Sequence, residues 1–201
     1  MSFQSINPAT GEKGKVYEEH GPEAIEKRLQ RAASTFESWR NTSFSKRAKL
    51  MHKAADLFIE RARALAVIAS EEMGKPIVAG IAEAEKCAWA LNYYADNAES
   101  FLALENIETD FEKSYVRFEP IGVVLAVMPW NFPYWQVARF AAPVLMAGNV
   151  GLLKHASNVQ GAAIAFEAIF LEAGFPEGAF QNLAIKSGAV SSRVPSKSKN
   201  T

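Results

Sequence analysis

The sequence has a single cysteine, Cys87, among its 201 residues. One thiol excludes an internal disulfide, and it also excludes zinc sites that are built from several cysteines. The three histidines stand far apart, with neither paired spacing nor a carboxylate partner that would suggest a metal site. We therefore expect no bound metal, and the use of cysteine favours a reducing, cytoplasmic setting.

The sequence also has no formal net charge, because 22 Lys and Arg residues balance 22 Asp and Glu residues. A chain without overall charge has no field that would attract nucleic acid or an anionic membrane surface, so neither partner is expected. The first residues lack a basic region followed by an apolar core, and no stretch reaches the ~18 apolar residues that a membrane span needs. A soluble, untargeted chain is the expectation.

Glycine-rich phosphate loops of the types G-x-G-x-x-G and G-x-x-x-x-G-K-[ST] do not occur either. What is present is a hydrophobic content of 49%, which is enough for a sizeable core. If the protein binds a nucleotide, it must therefore use contacts other than such a loop.

The first half of the chain has the 3.6-residue period of amphipathic helices, which predicts a helical layer over residues 20–105. One helix begins at Pro22, a second runs from a Ser45 cap to Gly74, and a third covers about residues 76–102. In the third helix, Glu83 and other charged residues are expected on the exposed face. This layer shows no chemistry of its own.

From about residue 105 the pattern changes to strands. Residues 114–120 alternate like a half-exposed edge strand, and Val123–Met128 has no polar residue, which is typical of a strand buried on both faces. A helix to Met146, a strand over 150–154, a helix capped by Ser157 and Asn158 and a strand over 180–185 follow. The fold class expected is α/β: a helical layer plus the first half of a doubly wound parallel, Rossmann-like sheet.

The predicted organisation has two parts. Residues 1–185 form the folded part, with the β-α-β-α-β unit at 121–185. Residues 186–201 are rich in serine and lysine and have no period that could bury a face, so a disordered tail is expected there.

Ligands of parallel α/β sheets bind outside the carboxyl ends of the strands, where helix N-termini and loop side chains converge. Asn131 stands at such a strand end, between Pro129 and Pro133. Its side-chain amide on this rigid turn can donate a hydrogen bond to an oxygen that becomes negative in a transition state. An ordinary asparagine in a proline-bracketed turn explains the same pattern, so both interpretations stay open.

Other candidates have equally plain alternatives. Lys154 ends the second apolar strand, where its ammonium group could contact a ribose or a phosphate or simply extend to water. Arg139 could bind a carboxylate or pair with a surface acid. Cys87 lies on an apolar helix stripe without a neighbouring histidine, so a structural cysteine is expected. Four aromatic residues fit either the core or a ligand-binding wall: Trp130, Phe132, Tyr134 and Trp135.

Six short motifs add information through their order. They are Asn7-Pro8-Ala9-Thr10-Gly11-Glu12, Glu72-Met73-Gly74-Lys75-Pro76, Pro120-Ile121-Gly122-Val123, Pro129-Trp130-Asn131-Phe132-Pro133, Leu153-Lys154 and Ala173-Gly174-Phe175-Pro176-Glu177-Gly178. Each alone is weak, but their order and spacing resemble the NAD(P)-dependent aldehyde dehydrogenase family, and within it the succinate-semialdehyde dehydrogenase group. The similarity runs from about residue 5 to about residue 185.

The resemblance implies roles for single residues. Asn131 matches the asparagine that holds the aldehyde oxygen through the tetrahedral thiohemiacetal, and Lys154 matches the lysine that binds the adenosine ribose. Ser157 stands where NAD-selective members have a glutamate, so the expected cofactor is NAD or NADP. Arg139 matches a position that helps to bind the substrate's distal carboxylate. The other expected contacts are Met128, Pro129 and Trp130 for the cofactor and Tyr134 and Trp135 for the substrate.

The family's general base and nucleophile stand in the motifs Glu-Leu-Gly-Gly and Gly-Gln-x-Cys, and neither occurs in this sequence. A truncated or frame-shifted N-terminal portion is therefore expected, with succinate semialdehyde as the expected aldehyde and no oxidation by the chain alone. Full-length members are homo-oligomers. The alternative is a non-catalytic nucleotide-binding or subunit-assembly module. Marginal stability is also expected, because the half sheet has an open edge.

Overall fold

A computed structural model describes residues 2–186 and 188 of the chain. The chain begins with an antiparallel hairpin of β1 (Ser2–Ile6) and β2 (Lys13–Glu18). In the turn between them, the side-chain oxygen of Asn7 accepts a hydrogen bond from Ala9 N at 2.9 Å, and Gly11 adopts a φ of +74°. Residues other than glycine rarely adopt this φ.

Four helices form the layer that the period predicted. They are α1 (Pro22–Trp39), α2 (Phe44–Glu60), α3 (Ala62–Met73) and α4 (Ile77–Phe101). The prediction of one helix from Ser45 to Gly74 is wrong, because the helix axis breaks at Arg61 (φ −100°, ψ 9°). The break lets α2 pack against α4 and α6 while α3 packs against β1 and α4. The cap of α2 is Ser43, not Ser45.

The strand predicted over residues 114–120 is much shorter. Only β4 (Tyr115–Val116) forms, and it pairs antiparallel with β3 (Glu105–Asn106) in a separate two-stranded sheet. Tyr115, Val116 and Phe118 are all exposed, so neither face of this segment has a core to pack on. The alternation of apolar and polar residues therefore does not correspond to one buried and one exposed face. Without a buried face, packing does not stabilise a longer strand.

The β-α-β-α-β unit is confirmed. It consists of β5 (Val123–Val127), α5 (Trp135–Met146), β6 (Val150–Lys154), α6 (Gln160–Ala173) and β7 (Phe180–Asn182). The three strands are parallel in the order β5-β6-β7. This is the expected mixture of a helical layer with the first strands of a doubly wound sheet. The last strand ends at Asn182, three residues before its predicted end.

β5 and β6 differ in burial. All five residues of β6 are buried, as its central position requires. The prediction that Val123–Met128 is buried on both faces is wrong, because Val123 is 39% and Val127 is 56% exposed. β5 pairs only with β6 among the described strands, so one of its edges and part of its surface face solvent.

The helices and the sheet share one core. Rings of Phe58, Phe166, Phe170 and Phe180 contact one another across α2, α6 and β7, with centroids 5.1–5.4 Å apart. Each such ring contributes roughly 2–3 kcal/mol by leaving water. Cys87 lies in the same core with no exposed surface, and burial raises the pKa of its thiol, as a structural cysteine requires.

Across residues 2–186, no helix is both long and apolar enough to cross a membrane. The disordered tail predicted for residues 186–201 lies outside the described residues, apart from positions 186 and 188.

Candidate functional site at the carboxyl ends of two parallel strands

The ends of β5 and β6 lie side by side. Val127 pairs with Lys154 in the parallel register, and Met128 N donates a hydrogen bond to Lys154 O at 3.1 Å. The loop that follows β5 contains Asn131, and the loop that follows β6 contains Ser157. The sheet therefore brings together two of the segments that the sequence singled out.

His155 fastens these two loops to each other. Its Nδ1 accepts a hydrogen bond from Ala156 N at 2.9 Å, which leaves the proton on Nε2 to be donated to Pro133 O at 2.9 Å. The ring is completely buried, and burial lowers the pKa of His155, so the imidazole is neutral at pH 7. The histidine has a structural role that its sequence position did not indicate.

Asn131 is exposed at the tip of the turn after β5. Its side-chain amide makes no hydrogen bond with a residue that the structure describes. The residues on its C-terminal side are fixed: Phe132 O accepts from Gln136 N at 3.1 Å, and Pro133 O accepts from His155. The amide is thus available to a ligand while its backbone is held, which is what a preorganised oxyanion donor needs.

A buried glutamate of the helical layer holds the start of α5. Glu83 Oε1 accepts hydrogen bonds from Tyr134 N and Trp135 N, both at 2.9 Å. Its other oxygen forms an ion pair with Lys75, whose ammonium group also lies 4.2 Å from the centroid of the Phe132 ring. Glu83 is 5% exposed, so the prediction that it lies on the exposed face of α4 is wrong. It supports the turn that presents Asn131.

A second buried glutamate holds the start of α6 in the same way. Glu72 accepts from Gly161 N at 2.7 Å and from Ala162 N at 3.0 Å. Burial raises the pKa of Glu72 to about 7, although the two backbone donors oppose the shift. Its negative charge also raises the pKa of Tyr17, after the effect of burial. Ser157 and Asn158 do not cap α6, and this part of the prediction is wrong.

Both helix N-termini of the site are consequently occupied by carboxylates from the protein. An anion at these positions would find N–H groups that already donate to a glutamate side chain. The expectation that helix starts contribute directly to ligand binding is corrected: the loops and strand ends remain available, and the helix starts do not.

The residues predicted to bind substrate separate into two groups. Tyr134 has no exposed surface, and its hydroxyl donates to Leu65 O at 2.9 Å. It is a core residue, so the prediction that it binds substrate is corrected. Trp135 is half-buried and Arg139 is exposed, and the Arg139 guanidinium carbon lies 6.0 Å from the Trp135 ring centroid. These two remain on the surface near the turn.

The predicted cofactor contacts are also divided. Met128 is half-buried, whereas Pro129, Trp130 and Ser157 are exposed. Lys154 is only 2% exposed, and burial lowers the pKa of its ammonium group. A cavity of about 430 Å³ lies beyond the end of β6, between the β1 hairpin and the loop before α6. Its lining is Ser2, Phe3, Gln4, Ser157, Asn158 and Lys186.

A larger cavity, of about 550 Å³, lies at the opposite end of β5. It is lined by Arg47 and Pro120 among others, and by none of the residues predicted for the site. Within the described part of the chain, no three His, Cys, Asp or Glu side chains converge as metal ligands would. The candidate site at the carboxyl ends of the strands is therefore chosen for its polar groups and not for the size of its cavity.

Sequence reasoning missed the residues that hold the site together, which are Lys75, Glu83, Glu72 and His155. Only two of them had a signal in the sequence, because Glu72 and Lys75 stand in one of the motifs that carry the family resemblance. The roles of Glu83 and His155 depend on partners 51 and 22 residues away in sequence, Tyr134 and Pro133.

A parallel sheet with helical cover and polar groups at its strand ends defines a doubly wound α/β domain. The family model of the aldehyde dehydrogenase family matches residues 1–196. The chain belongs to the aldehyde dehydrogenase family.

Relatives with curated descriptions agree with this family. A probable succinate-semialdehyde dehydrogenase [NADP(+)] of Synechocystis sp. is 50% identical over 194 residues, which are 96% of this chain and 42% of the relative. An aldehyde dehydrogenase of Paenarthrobacter nicotinovorans is 47% identical over 190 residues, covering 92% of this chain and 42% of the relative. The chain thus spans less than half the length of these relatives, in their N-terminal portion.

Solved structures show the same fold. The succinic semialdehyde dehydrogenase of Streptococcus pyogenes, in complex with NADP+, superimposes with a TM-score of 0.93 at 35% identity, covering 97% of this chain and 43% of that one. The succinate-semialdehyde dehydrogenase of Burkholderia pseudomallei gives a TM-score of 0.89 at 28% identity, covering 94% and 40%.

Proposed function

We propose that this chain provides the cofactor-binding and oxyanion-binding part of an NADP-dependent aldehyde dehydrogenase whose substrate is succinate semialdehyde. One observation carries the proposal: the exposed Asn131 amide stands on a turn that Glu83 and His155 hold in place, at the strand end next to Lys154. The names of the Synechocystis and Streptococcus pyogenes relatives support the substrate and the cofactor.

Asn131 acts on the aldehyde oxygen. Its side-chain NH2 donates a hydrogen bond that strengthens as this oxygen becomes negative, which lowers the barrier to nucleophilic attack. Because the backbone around Asn131 is already fixed, little reorganisation is needed at that moment. Removing one such donor typically costs roughly 10²-fold or more in rate.

The residues around the end of β6 fit a dinucleotide with a 2′-phosphate. Lys154 supplies a positive charge at the strand end, and Ser157 places a neutral hydroxyl beside the cavity of about 430 Å³. A carboxylate at position 157 would repel the phosphate, and serine does not. Met128, Pro129 and Trp130 line the approach from β5. When bound, NADP+ supplies the acceptor for the hydride that leaves the substrate.

Arg139 and Trp135 form the substrate side of the proposed site. The guanidinium group of Arg139 is exposed and suits a carboxylate, which succinate semialdehyde has at the end opposite its aldehyde. An aldehyde without this carboxylate would lose the charge-assisted contact.

The 201 residues contain neither the Glu-Leu-Gly-Gly nor the Gly-Gln-x-Cys motif, and Cys87 is wholly buried with a raised thiol pKa. A thiolate is the attacking form of cysteine, so Cys87 cannot replace the family nucleophile. The proposal is therefore that the chain alone binds ligands without oxidising them. Succinate semialdehyde and NADP+ mixed with the purified chain should give no increase in absorbance of reduced nicotinamide, and steady turnover would contradict this.

Cofactor binding tests the proposal directly. Calorimetric titration should show that the chain binds NADP+ and that Lys154→Met weakens binding roughly tenfold, as expected for a lost charge-assisted contact. Ser157→Glu should weaken NADP+ binding much more than NAD+ binding. Lys53→Met, at an exposed lysine of α2, is the matched control and should change nothing. A chain that does not bind NADP+, or a Lys154→Met variant with full affinity, would overturn the proposed cofactor site.

A second candidate function, assembly with other subunits, is favoured by one observation. The segment around β3 and β4 exposes a series of large apolar side chains, which is unusual for a surface that stays in water. They are Leu104, Ile107, Phe111, Tyr115, Val116, Phe118 and Ile121. Co-purification with the full-length Synechocystis relative, abolished by Phe111→Ser, would favour assembly. A monomeric chain that ignores the relative would count against it.

A further inference from the structure

Two cationic side chains lie close to the ring of Trp135. Lys86, on α4, places its ammonium nitrogen 4.3 Å from the ring centroid. Arg139, one turn further along α5, places its guanidinium carbon 6.0 Å from the same centroid. Trp135 is the first residue of α5, so its ring lies next to the turn that contains Asn131.

Neither cation pairs with an acidic residue in the part of the chain that the structure describes. No described acid lies within 4.0 Å of the charged atoms of Lys86 or Arg139, although such pairs do form elsewhere in the described chain. The nearby carboxylate of Glu83 is already engaged with Lys75 and with the N-terminus of α5. Two like charges that share one ring repel each other, and an anion between them would remove this repulsion.

The two cations come from different walls of the site. Arg139 extends from α5, four residues beyond Trp135, which is about 6 Å along the helix axis. Lys86 extends from α4, so an anion held by both would be fixed from two sides. Asn131 stands four residues before Trp135. A short molecule with a carboxylate at one end and a carbonyl at the other therefore matches the order of the donors.

We propose that Lys86 is a second determinant of substrate specificity, which binds the distal carboxylate of the substrate together with Arg139 across the Trp135 ring. This inference rests on the proposed function, because it assigns a further residue to the same substrate site. Lys86 contributes charge and up to three N–H donors, while the Trp135 ring keeps its side chain directed toward the carboxylate. The selected substrates are short aldehydes that end in a carboxylate.

A pair of unreactive probes tests this in the full chain. Succinamate has a carbonyl at one end and a carboxylate at the other, and butanamide has the same length without the charge. Neither forms an imine with lysine. Titrations followed by the indole N–H signal of Trp135 in NMR spectra, assigned with Trp135→Phe, should show that succinamate moves this signal and that butanamide does not.

Lys86→Met should weaken succinamate binding roughly fivefold, as expected for an exposed charge partner, and Lys86→Arg should restore most of the affinity. Lys53→Met on α2 is the control for loss of a surface lysine and should leave succinamate binding unchanged. NADP+ binding should be the same in all these variants, because the contact of Lys86 is with Trp135 on α5 and not with a residue at the end of β6.

The outcomes separate the two proposals. If Lys86→Met keeps full succinamate affinity while the chain binds NADP+, the role of Lys86 is overturned and the proposed function stands. If the wild-type chain binds NADP+ but not succinamate, the role of Lys86 and the proposed contact of Arg139 with the carboxylate are both overturned, while the proposed cofactor site stands. If the chain binds neither NADP+ nor succinamate, the proposed function itself fails.

Discussion

The starts of α5 and α6 are built alike and differ in charge. At each, a buried glutamate from the helical layer accepts hydrogen bonds from two backbone N–H groups of a helix that follows a parallel strand. Glu83, at α5, is paired with the buried ammonium group of Lys75. Glu72, at α6, has no cation within 4.0 Å among the described residues.

The difference shows that hydrogen bonds from a helix start do not by themselves keep a buried carboxylate ionised. Two N–H donors and the helix dipole favour the ionised carboxylate, but burial disfavours it more when no cation is near. The pKa of Glu72 is accordingly raised to about 7. The start of α5, which presents Asn131, has the neutralised version of the cap, and the start of α6 has the version that titrates near neutral pH.

The largest expected effect comes from breaking the neutralised pair. Glu83→Gln keeps a side-chain oxygen for the α5 N–H groups but leaves the ammonium of Lys75, which is 7% exposed, without its partner. We expect the free energy of unfolding to fall by about 3–5 kcal/mol, measured by urea denaturation at pH 7. The double variant Lys75→Met with Glu83→Gln should recover much of this loss, since no buried charge remains. Equal stability of the single variant and wild type would show that the pair does not matter.

A smaller effect concerns pH and Glu72. Its pKa is raised from 4.5 to about 7 on folding, so the folded chain binds more protons than the unfolded chain between these values. The stabilisation is complete below pH about 4.5 and is lost as the pH rises through about 7. We expect the free energy of unfolding to fall across this window, by on the order of 3 kcal/mol from this group.

Glu72→Gln provides the matched comparison. Glutamine has nearly the same shape and does not titrate, so the variant should show a flatter dependence of stability on pH between 4.5 and 7, measured by urea denaturation in a series of buffers. A variant with the same slope as wild type would show that another group carries the pH dependence.

The smallest expected effect is at a conventional cap. Ser43 Oγ accepts a hydrogen bond from Lys46 N at 3.2 Å at the start of α2. Ser43→Ala should lower the free energy of unfolding by about 1 kcal/mol, without a change in pH dependence. Thermal or urea unfolding of this variant gives the loss of stability for a local cap, with which the losses at Glu83 and Glu72 are compared. A loss as large as that of Glu83→Gln would remove the distinction between local and tertiary caps.

Much of the fold followed from local patterns. The period of apolar residues predicted α1, α4 and the β-α-β-α-β unit, because each of these elements buries one face or one strand against the same core. Prediction failed where the burial of a segment depended on remote neighbours. Arg61 interrupts an apolar stripe that looks continuous, and β5 is more exposed than its composition suggests because it is an edge of the described sheet.

The site was predicted less completely. Asn131 and Lys154 were singled out because polar residues at the ends of apolar strands stand out in a sequence, and Arg139 was singled out because a guanidinium group on the following helix could bind a carboxylate. Tyr134 was assigned to the substrate from its position beside them, and only its complete burial against Leu65 showed that it belongs to the core. Lys86 was predicted only as a charged residue on the surface of the third helix, because its approach to Trp135 joins residues that lie 49 positions apart.

The sequence by itself determined the order of helices and strands and the family that its motifs resemble. It also determined that the family's nucleophile and base motifs do not occur in these residues. These are properties of neighbouring residues and of composition. The tertiary structure alone decided that Glu83 and Glu72 close the helix starts, that His155 joins the two loops and that Lys86 and Arg139 meet at one ring. Hydrogen bonds and charges act over a few ångströms in space, and residues far apart in the chain reach that distance only when the core is packed.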